Sequence, residues 1–286
     1  MVTNLGLVIE TVTYQGRDGS KRMSEKAVLL DIEDGIATIT LNEPDSRNAL
    51  SQSIGEGLSD ALAEIEGRDA SCVVIEGKGD AFSAGGDVNR MLEGLTGDVP
   101  LDQRVKELEE STSQVMIDIV QYPLPTIAKI DGAAVGAGAN LAIACDIQIA
   151  SESASFGFVF RQVGLSVDAG TSYLLPRIVG ANVAKELVFT GEIFGADRAE
   201  EIGLVNHVYD EDSIDEEVAA MAERIANGPD VAFRHTKRLL NEGFEKSVEQ
   251  AMTDEAVAQG IVFQTDDHYE GVEAFMEGRD PEFEGE

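Results

Sequence analysis

Two glycine-rich turns are the parts of this sequence best suited to chemistry on a bound ligand. One runs from Gly77 to Asp87 and the other from Asp131 to Asn140, each directly after a short apolar run that predicts a strand. Small residues let a ligand approach the backbone, and free N–H groups at a helix start attract negative charge. Side by side, the two turns would aim two N–H groups at one oxygen and form an oxyanion hole. Tight packing of a helix on a strand, without a ligand, explains the same glycines equally well.

Other chemistries that such turns serve do not fit the residues present. Neither turn reads G-x-G-x-x-G, which disfavours a dinucleotide site, and the absence of G-K-[ST] excludes a P-loop. No G-x-S-x-G motif supports a nucleophilic serine. The three histidines are scattered, and no spacing of Cys, His and carboxylates predicts a metal site. We expect His207, His235 and His268 to be structural or on the surface.

Two aspartates stand where an acid could act. Asp87 ends the first turn, and capping of a helix that starts at Val88 is its commoner role. Asp168 lies between apolar residues and the helix-like start Gly170-Thr171. It is either a cap of that helix or a base in an apolar pocket, where burial would raise its pKa.

The elements that must position these residues predict an α/β fold. Asp34-Gly35 between two β-prone runs predicts a hairpin, and strands that alternate with helices predict a largely parallel sheet. The predicted strands are 28–32, 36–41, 71–76, 126–130 and 146–150. The predicted helices are 51–66 and 103–121, followed beyond about residue 171 by 183–190, 196–202, 214–227, 230–242 and 246–262.

The composition is that of an ordinary globular protein, but the charge is unusual. Of 286 residues 43% are hydrophobic, while 54 acidic against 21 basic residues give a net charge of −33. Nucleic-acid binders cluster Lys and Arg, so we expect no such partner. No apolar run of about 18 residues predicts a membrane helix, and no signal peptide is recognised. Two cysteines suggest a reducing compartment, and we expect a cytoplasmic protein.

At the two glycine-rich turns the sequence resembles the crotonase superfamily of enoyl-CoA hydratases and isomerases. The resemblance covers Val28 to the C-terminus, with several motifs in the family's order. They are Ile39-Thr40-Leu41-Asn42-Glu43-Pro44, Asn48-Ala49-Leu50-Ser51, Ala81 to Asp87, Gly132 to Asn140, Gly203-Leu204-Val205-Asn206 and Glu270 to Arg279.

The resemblance implies a core of repeated ββα units wound as a spiral and a helical trimerisation region. It divides the chain into a loosely ordered extension at 1–26, a core with the CoA and acyl site at 27–210, and a helical C-terminal region at 211–286. It implies a homotrimer or a dimer of trimers. The substrate is an acyl-CoA thioester, so that coenzyme A is part of the substrate, and no further cofactor or metal is expected.

The resemblance also implies roles for individual residues. The N–H groups that hold the thioester oxygen fall on Gly86 and Ala137, and the catalytic acid falls on Asp168. Position 137 is commonly glycine in the family, but alanine keeps the N–H. The residues expected to line the CoA and substrate site are Arg47, Ala49, Leu50, Ala84, Gly85, Asp87, Val88, Gly136, Asn140 and Phe160.

The hydratase pattern of the family fails in this sequence. The two glutamates that typical hydratases use fall on Asn140 and Phe160, and neither residue is a suitable proton carrier. Asp168 aligns with the acid of dienoyl-CoA isomerases, of ring-opening epoxyphenylacetyl-CoA isomerases and of an aryl-CoA dehalogenase. The stretch from Gly136 to Arg177 is most similar to the epoxyphenylacetyl-CoA isomerases of phenylacetate breakdown.

We therefore expect a double-bond or ring isomerase in which Asp168 is the only proton shuttle. Phe158, Phe160 and Val167 are candidates for an apolar wall that raises the pKa of this acid. The alternatives are a hydratase that works through another group and a catalytically weak member of the family that binds CoA.

The spread of acidic residues through the whole chain suggests a halophile's protein, with an acidic protein of an ordinary cell as the alternative. Because CoA is itself a polyanion, a chain of net charge −33 repels it at long range and needs local cations. Arg47, Arg90 and Lys129 are the candidates.

The first testable prediction is that salt stabilises the fold. The Debye length falls to about 3 Å near 1 M salt, so self-repulsion at −33 is screened there. The melting temperature should rise from dilute to molar KCl, and the affinity for CoA esters should improve over the same range. A melting temperature that does not change with KCl contradicts the halophile hypothesis.

Overall fold

The structure is a computed structural model that describes residues 26–86 and 100–286. Of the predicted extension at 1–26, only Lys26 belongs to the described residues. Asp87, Val88 and Arg90 lie outside the described ranges, and what the sequence predicts for them stays a prediction.

The strands of the described residues form two sheets. They are β1 (Val28–Glu33), β2 (Ile36–Leu41), β3 (Cys72–Gly77), β4 (Ala81–Ser83), β5 (Thr126–Ile130), β6 (Ala133–Val135), β7 (Ile147–Ser151), β8 (Ser155–Gly157), β9 (Ile193–Gly195) and β10 (His207–Tyr209). The larger sheet has the order β1-β2-β3-β5-β7-β10, and it is parallel except for the β1–β2 pair. Asp34 and Gly35 take φ values of +49° and +76° in the turn between those two strands, which confirms the predicted hairpin.

The smaller sheet has the order β4-β6-β8-β9, with β4, β6 and β8 parallel. Consecutive strands alternate between the sheets: β3, β5 and β7 join the larger one, and β4, β6 and β8 join the smaller one. Each repeat therefore extends both sheets by one strand. This arrangement agrees with the spiral core that the sequence predicts.

Helices cover the sheets and make up the C-terminal region. They are α1 (Gln52–Ile65), α2 (Leu101–Leu108), α3 (Gln114–Gln121), α4 (Ala137–Ala144), α5 (Thr171–Val179), α6 (Ala181–Thr190), α7 (Ala196–Glu201), α8 (Ile214–Ala226), α9 (Asp230–Gly243), α10 (Val248–Val262) and α11 (Asp266–Glu277). The predicted helix at 103–121 is divided into α2 and α3 by a π-helical turn at Glu109–Ser113. No helix among the described residues is long and apolar enough to cross a membrane.

The larger sheet has an apolar layer on each face. Along β5, Ile127 belongs to the layer under α8, whereas Ala128 and Ile130 belong to the main core with α1, α3 and α4. This alternation follows from the period of two in a strand. The two glycine-rich turns lie on the main-core side, because α4 packs against β4, β5, β6 and β7.

Lys129 points away from that side. Its neighbours in β5 alternate between the faces, so Lys129 shares the α8 face with Ile127. Its ammonium group pairs with Glu76 at 2.9 Å and also with Asp215 on α8. The prediction that Lys129 is a cation of the CoA channel therefore disagrees with its placement, since its charge is used to hold α8 on the sheet.

A second lysine holds α9 on the core. The Lys237 side chain is only 7% exposed, and its ammonium group lies 2.6 Å from Asp146 and donates to the Leu124 carbonyl at 2.9 Å. Asp146 also accepts from the Thr126 N–H at 2.8 Å. The C-terminal region is therefore joined to the α/β core by ion pairs as well as by apolar contacts.

Candidate active site

The two glycine-rich turns meet at the carboxyl ends of paired strands. β4 and β6 are parallel neighbours, so the turns that follow them leave the sheet at the same edge. A Cβ atom built on Gly85 would lie 2.5 Å from the Val135 carbonyl and 3.5 Å from the Ala137 nitrogen. Gly85 and Gly136 both have positive φ, at +93° and +57°. The backbones touch, which only residues without a side chain allow here.

One turn of α4 continues this close approach. A Cβ atom on Gly138 would lie 2.2 Å from the Ser83 carbonyl oxygen, too close for any side chain. α4 therefore rests directly on the backbone of β4. Its first residue, Ala137, lies beside Gly85 as a consequence.

A third turn completes the junction. The Leu50 N–H donates to the Gly85 carbonyl at 2.7 Å, and the Ala84 N–H donates to the Arg47 carbonyl at 2.9 Å. Leu50 and Gly86 form an isolated parallel bridge. The structure thus brings together Arg47, Leu50, Ala84, Gly85 and Gly86, as the sequence predicts, and Ala49 lies within the same turn.

Buried Asn48 fastens this third turn. It is fully buried, and its amide group donates to the carbonyls of Lys78 at 3.0 Å and Ala81 at 2.8 Å. Its amide oxygen accepts from the Glu43 N–H at 2.9 Å. In the sequence, Asn48 is recognised only as part of a motif. The two carbonyls to which its amide donates lie 30 and 33 residues further along the chain, so no local pattern shows them.

The N–H groups of Gly86 and Ala137 are available to a ligand. Within the described part of the chain, neither N–H has a hydrogen-bond acceptor. Ala137 is the first residue of α4, where the helix N-terminus adds a positive partial charge, and its N-cap Gly136 supplies no side-chain cap. Two free N–H groups at the contact of two turns are the elements of an oxyanion hole.

Asp168 is not a helix cap. α5 has Gly170 as its N-cap, with no side-chain cap hydrogen bond. Among the residues that the structure describes, no group forms a hydrogen bond or an ion pair with the Asp168 carboxylate. The residue keeps solvent-accessible surface, but protein atoms on its inner side exclude enough water to raise its pKa above the ordinary value of 3.8. An unpaired carboxylate with a raised pKa is a candidate base.

Asn140 links α4 to the turn that carries Asp168. Its side chain is fully buried, its amide group donates to the Asp168 carbonyl at 3.1 Å, and its amide oxygen accepts from the Thr171 hydroxyl at 2.8 Å. Asn140 and Ala137 lie one turn apart on α4, so the Asp168 carbonyl is bonded to the helix whose first residue offers a free N–H. The predicted catalytic residues are therefore close together.

The aromatic candidates lie behind the site. Phe158 is fully buried and Phe160 is 7% exposed, and both belong to the main core, with Val167 packed against it. The Phe160 carbonyl accepts from the Leu165 N–H at 3.0 Å, which starts the chain segment that leads to Asp168. That these side chains form an apolar wall beside the Asp168 carboxylate stays a prediction.

Other titratable residues lie elsewhere. Burial raises the pKa of the Cys72 and Cys145 thiols to about 12, so neither is a nucleophile. His207, His235 and His268 lie on three separate elements, β10, α9 and α11. No group of three or more His, Cys, Asp and Glu side chains in the described ranges could hold a metal ion. The Arg47 guanidinium is exposed beside the third turn, 3.7 Å from Asp80.

Two cavities lie near these elements, and Met116 lines both of them. One of about 530 Å³ lies between α1 and the π-helical turn and is lined by Leu50 and Met116. Another of about 870 Å³ is lined by Gly170, Tyr173 and residues of α9.

Comparisons with known proteins agree with this geometry. The model of the family described as enoyl-CoA hydratase/isomerase matches residues 31–286. A crotonyl-CoA hydratase of Syntrophomonas wolfei is 33% identical over 263 residues, which cover 91% of this chain and 99% of that protein. A 1,2-epoxyphenylacetyl-CoA isomerase of Escherichia coli is 30% identical over 259 residues, 90% of this chain and 98% of that protein.

Solved structures give the same result. The crystal structure of an enoyl-CoA hydratase from Bacillus anthracis has a TM-score of 0.84 at 32% identity, and covers 91% of this chain and all of that one. The turns, the sheets and the sequence therefore lead to one conclusion: the chain belongs to the enoyl-CoA hydratase/isomerase, or crotonase, family.

Proposed function

We propose that the chain is an isomerase of enoyl-CoA thioesters in which Asp168 carries the proton and the N–H groups of Gly86 and Ala137 hold the thioester oxygen. One observation carries the proposal. An unpaired carboxylate with a raised pKa belongs to a residue whose backbone carbonyl is bonded to α4, the helix that starts with the free N–H of Ala137. Enolate chemistry needs a base and an oxyanion site that reach the same substrate.

The reaction needs no second acid. The Asp168 carboxylate takes a proton from the carbon next to the thioester, and the electron pair moves onto the thioester oxygen. The N–H groups of Gly86 and Ala137 stabilise that oxyanion. The protonated Asp168 then returns the proton to the far carbon of the former double bond, so the double bond shifts by one position. The raised pKa of Asp168 lies closer to the pKa of the substrate C–H group. Proton transfer between the carboxyl group and the substrate carbon is therefore easier.

Asn140 supports isomerisation over hydration. Hydration requires one group that activates water and another that protonates carbon. Asn140 is fully buried and already uses its donor on the Asp168 carbonyl and its acceptor on the Thr171 hydroxyl. An amide cannot act as a carboxylic acid, so of the three positions considered as proton carriers, 140, 160 and 168, only Asp168 has a carboxylate.

Hydratase activity is the second candidate, because of the names of relatives. The relative from S. wolfei is named a crotonyl-CoA hydratase, while the relative from E. coli is named a 1,2-epoxyphenylacetyl-CoA isomerase. Within the isomerase proposal, the second name favours as substrates the ring-containing acyl groups of phenylacetate breakdown. Hydration would consume crotonyl-CoA, and its conjugated absorbance would fall.

The substrate is proposed to bring coenzyme A itself, with no separate cofactor or metal. Exposed Arg47, beside the oxyanion turns, is the cation that remains for the anionic CoA moiety among the described candidates. The net charge of −33 supports a cytoplasmic enzyme of a salt-rich cell, where dissolved ions screen the repulsion between enzyme and substrate.

The assembly is proposed to be a homotrimer or a dimer of trimers built through the C-terminal region. The end of α9 and the two helices after it expose large apolar side chains: Phe244 (75%), Val248 (66%), Met252 (63%), Phe275 (84%) and Met276 (80%). Exposed apolar surface of this kind is typical of an interface rather than of a monomer.

Replacement of the base tests the catalytic proposal. Asp168→Asn keeps the shape of the side chain but cannot accept a proton, so kcat for isomerisation of a 3-enoyl-CoA should fall by about 10²–10⁴-fold. The steady-state rate with and without the substitution is the measurement. Wild-type isomerisation by Asp168→Asn, or a wild-type enzyme that hydrates crotonyl-CoA faster than it isomerises, overturns the proposal.

Two further measurements accompany this variant. The reaction needs the ionised Asp168 carboxylate, so kcat/KM should decline as the pH falls through the pKa of this group. Because that pKa is raised, the decline should occur above pH 3.8. Burial disfavours the charged form in the folded state, so Asp168 costs stability at pH values above that pKa. Asp168→Asn should therefore melt at or above the wild-type temperature at pH 7, which separates lost chemistry from lost folding.

Removal of one N–H tests the oxyanion hole. Proline is tolerated at the first position of a helix, so Ala137→Pro should fold while a ring methylene replaces the N–H donor. We expect kcat to fall by about 10²–10³-fold. Ala137→Gly keeps the N–H and should lose far less. Equal rates for the two variants contradict the role of Ala137.

A charge in the exposed apolar surface tests the assembly. Phe275→Glu should dissociate the trimer, because a carboxylate cannot be buried there without a partner. Phe189→Glu, at a 72% exposed position of α6, is the matched control outside the C-terminal region. Light scattering during gel filtration in molar KCl gives the mass. A wild-type monomer, or an intact trimer with Phe275→Glu, contradicts the proposed interface.

A further inference from the structure

We infer that Asn140 and Thr171 are positioning residues, which set the place of Asp168 by clamping its backbone carbonyl. The inference rests on the proposed function of Asp168 and extends it to two side chains that do not touch the substrate. Neither has an assigned part in the reaction, and the sequence predicted Asn140 as a substrate contact.

Three donors converge on one carbonyl oxygen. The Asp168 carbonyl accepts from the Thr171 N–H at 3.0 Å, from the Thr171 hydroxyl at 2.8 Å and from the Asn140 amide at 3.1 Å. The hydroxyl shares its single hydrogen between this carbonyl and the Asn140 amide oxygen. A carbonyl has two lone pairs, so its hydrogen-bonding capacity is filled and its direction is fixed.

The clamp is buried, and each of its polar atoms has a hydrogen-bond partner. Asn140 is fully buried and Thr171 is 1% exposed. Burial of an amide and a hydroxyl is unfavourable unless each finds partners, and here they pair with each other and with the same carbonyl. A network of this kind is rigid because any displacement leaves a buried polar group without a partner.

The clamp fixes a turn of uncommon geometry. After Asp168, Ala169 and Gly170 both have positive φ, at +46° and +84°, and α5 then starts at Thr171. Alanine rarely adopts such a conformation, and it persists only where the surroundings determine it. Asp168 stays exposed in this turn while its backbone carbonyl is attached to α4.

The clamp also couples the base to the oxyanion hole. Asn140 and Ala137 belong to the same helix, one turn apart. The helix that offers the Ala137 N–H therefore carries the amide that holds the Asp168 carbonyl. The distance from Asp168 to the Ala137 N–H therefore depends on the single helix α4.

The test is a set of variants that remove the clamp without touching the carboxylate. Thr171→Val has the same shape without the hydroxyl, and Thr171→Ser restores the hydroxyl. Asn140→Leu replaces the buried amide by an apolar group of similar size. Misplacement of a catalytic group by about 1 Å costs up to about 10²-fold, so kcat should fall by about 10- to 100-fold in Thr171→Val and Asn140→Leu. KM should stay within about two-fold.

Two readouts separate positioning from mere structure. Thr171→Ser should recover most of kcat, and Thr171→Val added to Asp168→Asn should lower kcat no further, because the clamp acts only through Asp168. Melting temperatures report on folding; if Thr171→Val does not fold, Asn140→Leu carries the same comparison.

The outcomes are distinct. Wild-type kcat in Thr171→Val and Asn140→Leu, with only the melting temperature lowered, overturns this inference and leaves the proposed function intact. An equal loss of kcat when Thr171→Val is added to Asp168→Asn also overturns it. Wild-type isomerisation by Asp168→Asn overturns the proposed function, and the positioning role with it.

Discussion

The close approach of two backbones is the constraint on which the site depends. Where α4 crosses β4, a Cβ atom on Gly138 would lie 2.2 Å from the Ser83 carbonyl, and one on Gly85 would lie 2.5 Å from the Val135 carbonyl. These contacts bring a helix N-terminus against a neighbouring turn, so that the N–H groups of Gly86 and Ala137 are left without internal acceptors among the described residues. Larger side chains would separate the turns and remove the anion-binding geometry.

Asn140 explains why one acid is compatible with this site. The side chain at position 140 donates a hydrogen bond to the Asp168 carbonyl and accepts one from the Thr171 hydroxyl, and a neutral amide can do both. An ionised carboxylate there would have no proton to donate, would face a carbonyl oxygen and would raise the pKa of Asp168 further through like charge. The amide is therefore compatible with the proposed single-base reaction.

The sequence predicts the long elements of the fold well and its short ones poorly. The hairpin at Asp34-Gly35 and the helix α1 follow from local patterns. Strands β4, β6, β8, β9 and β10 have three residues each, too few for a period of two to show. The prediction of Asp168 came from a family resemblance, because its local pattern favours a helix cap. Thr171 was not singled out: its partner Asn140 is 31 residues away, and only the folded chain pairs them.

The distribution of cations shows how an acidic chain keeps its C-terminal region in place. Lys129 faces α8 and contacts Glu76, and Lys237 lies on α9 and contacts Asp146. Lys237 is buried, so dissolved salt screens its pairing much less than it screens exposed charges. Added salt therefore reduces the repulsion among the surplus acids on the surface while leaving this internal pair largely intact. The two effects of salt oppose each other only at exposed pairs, which contribute little to stability, so we expect added salt to stabilise this fold.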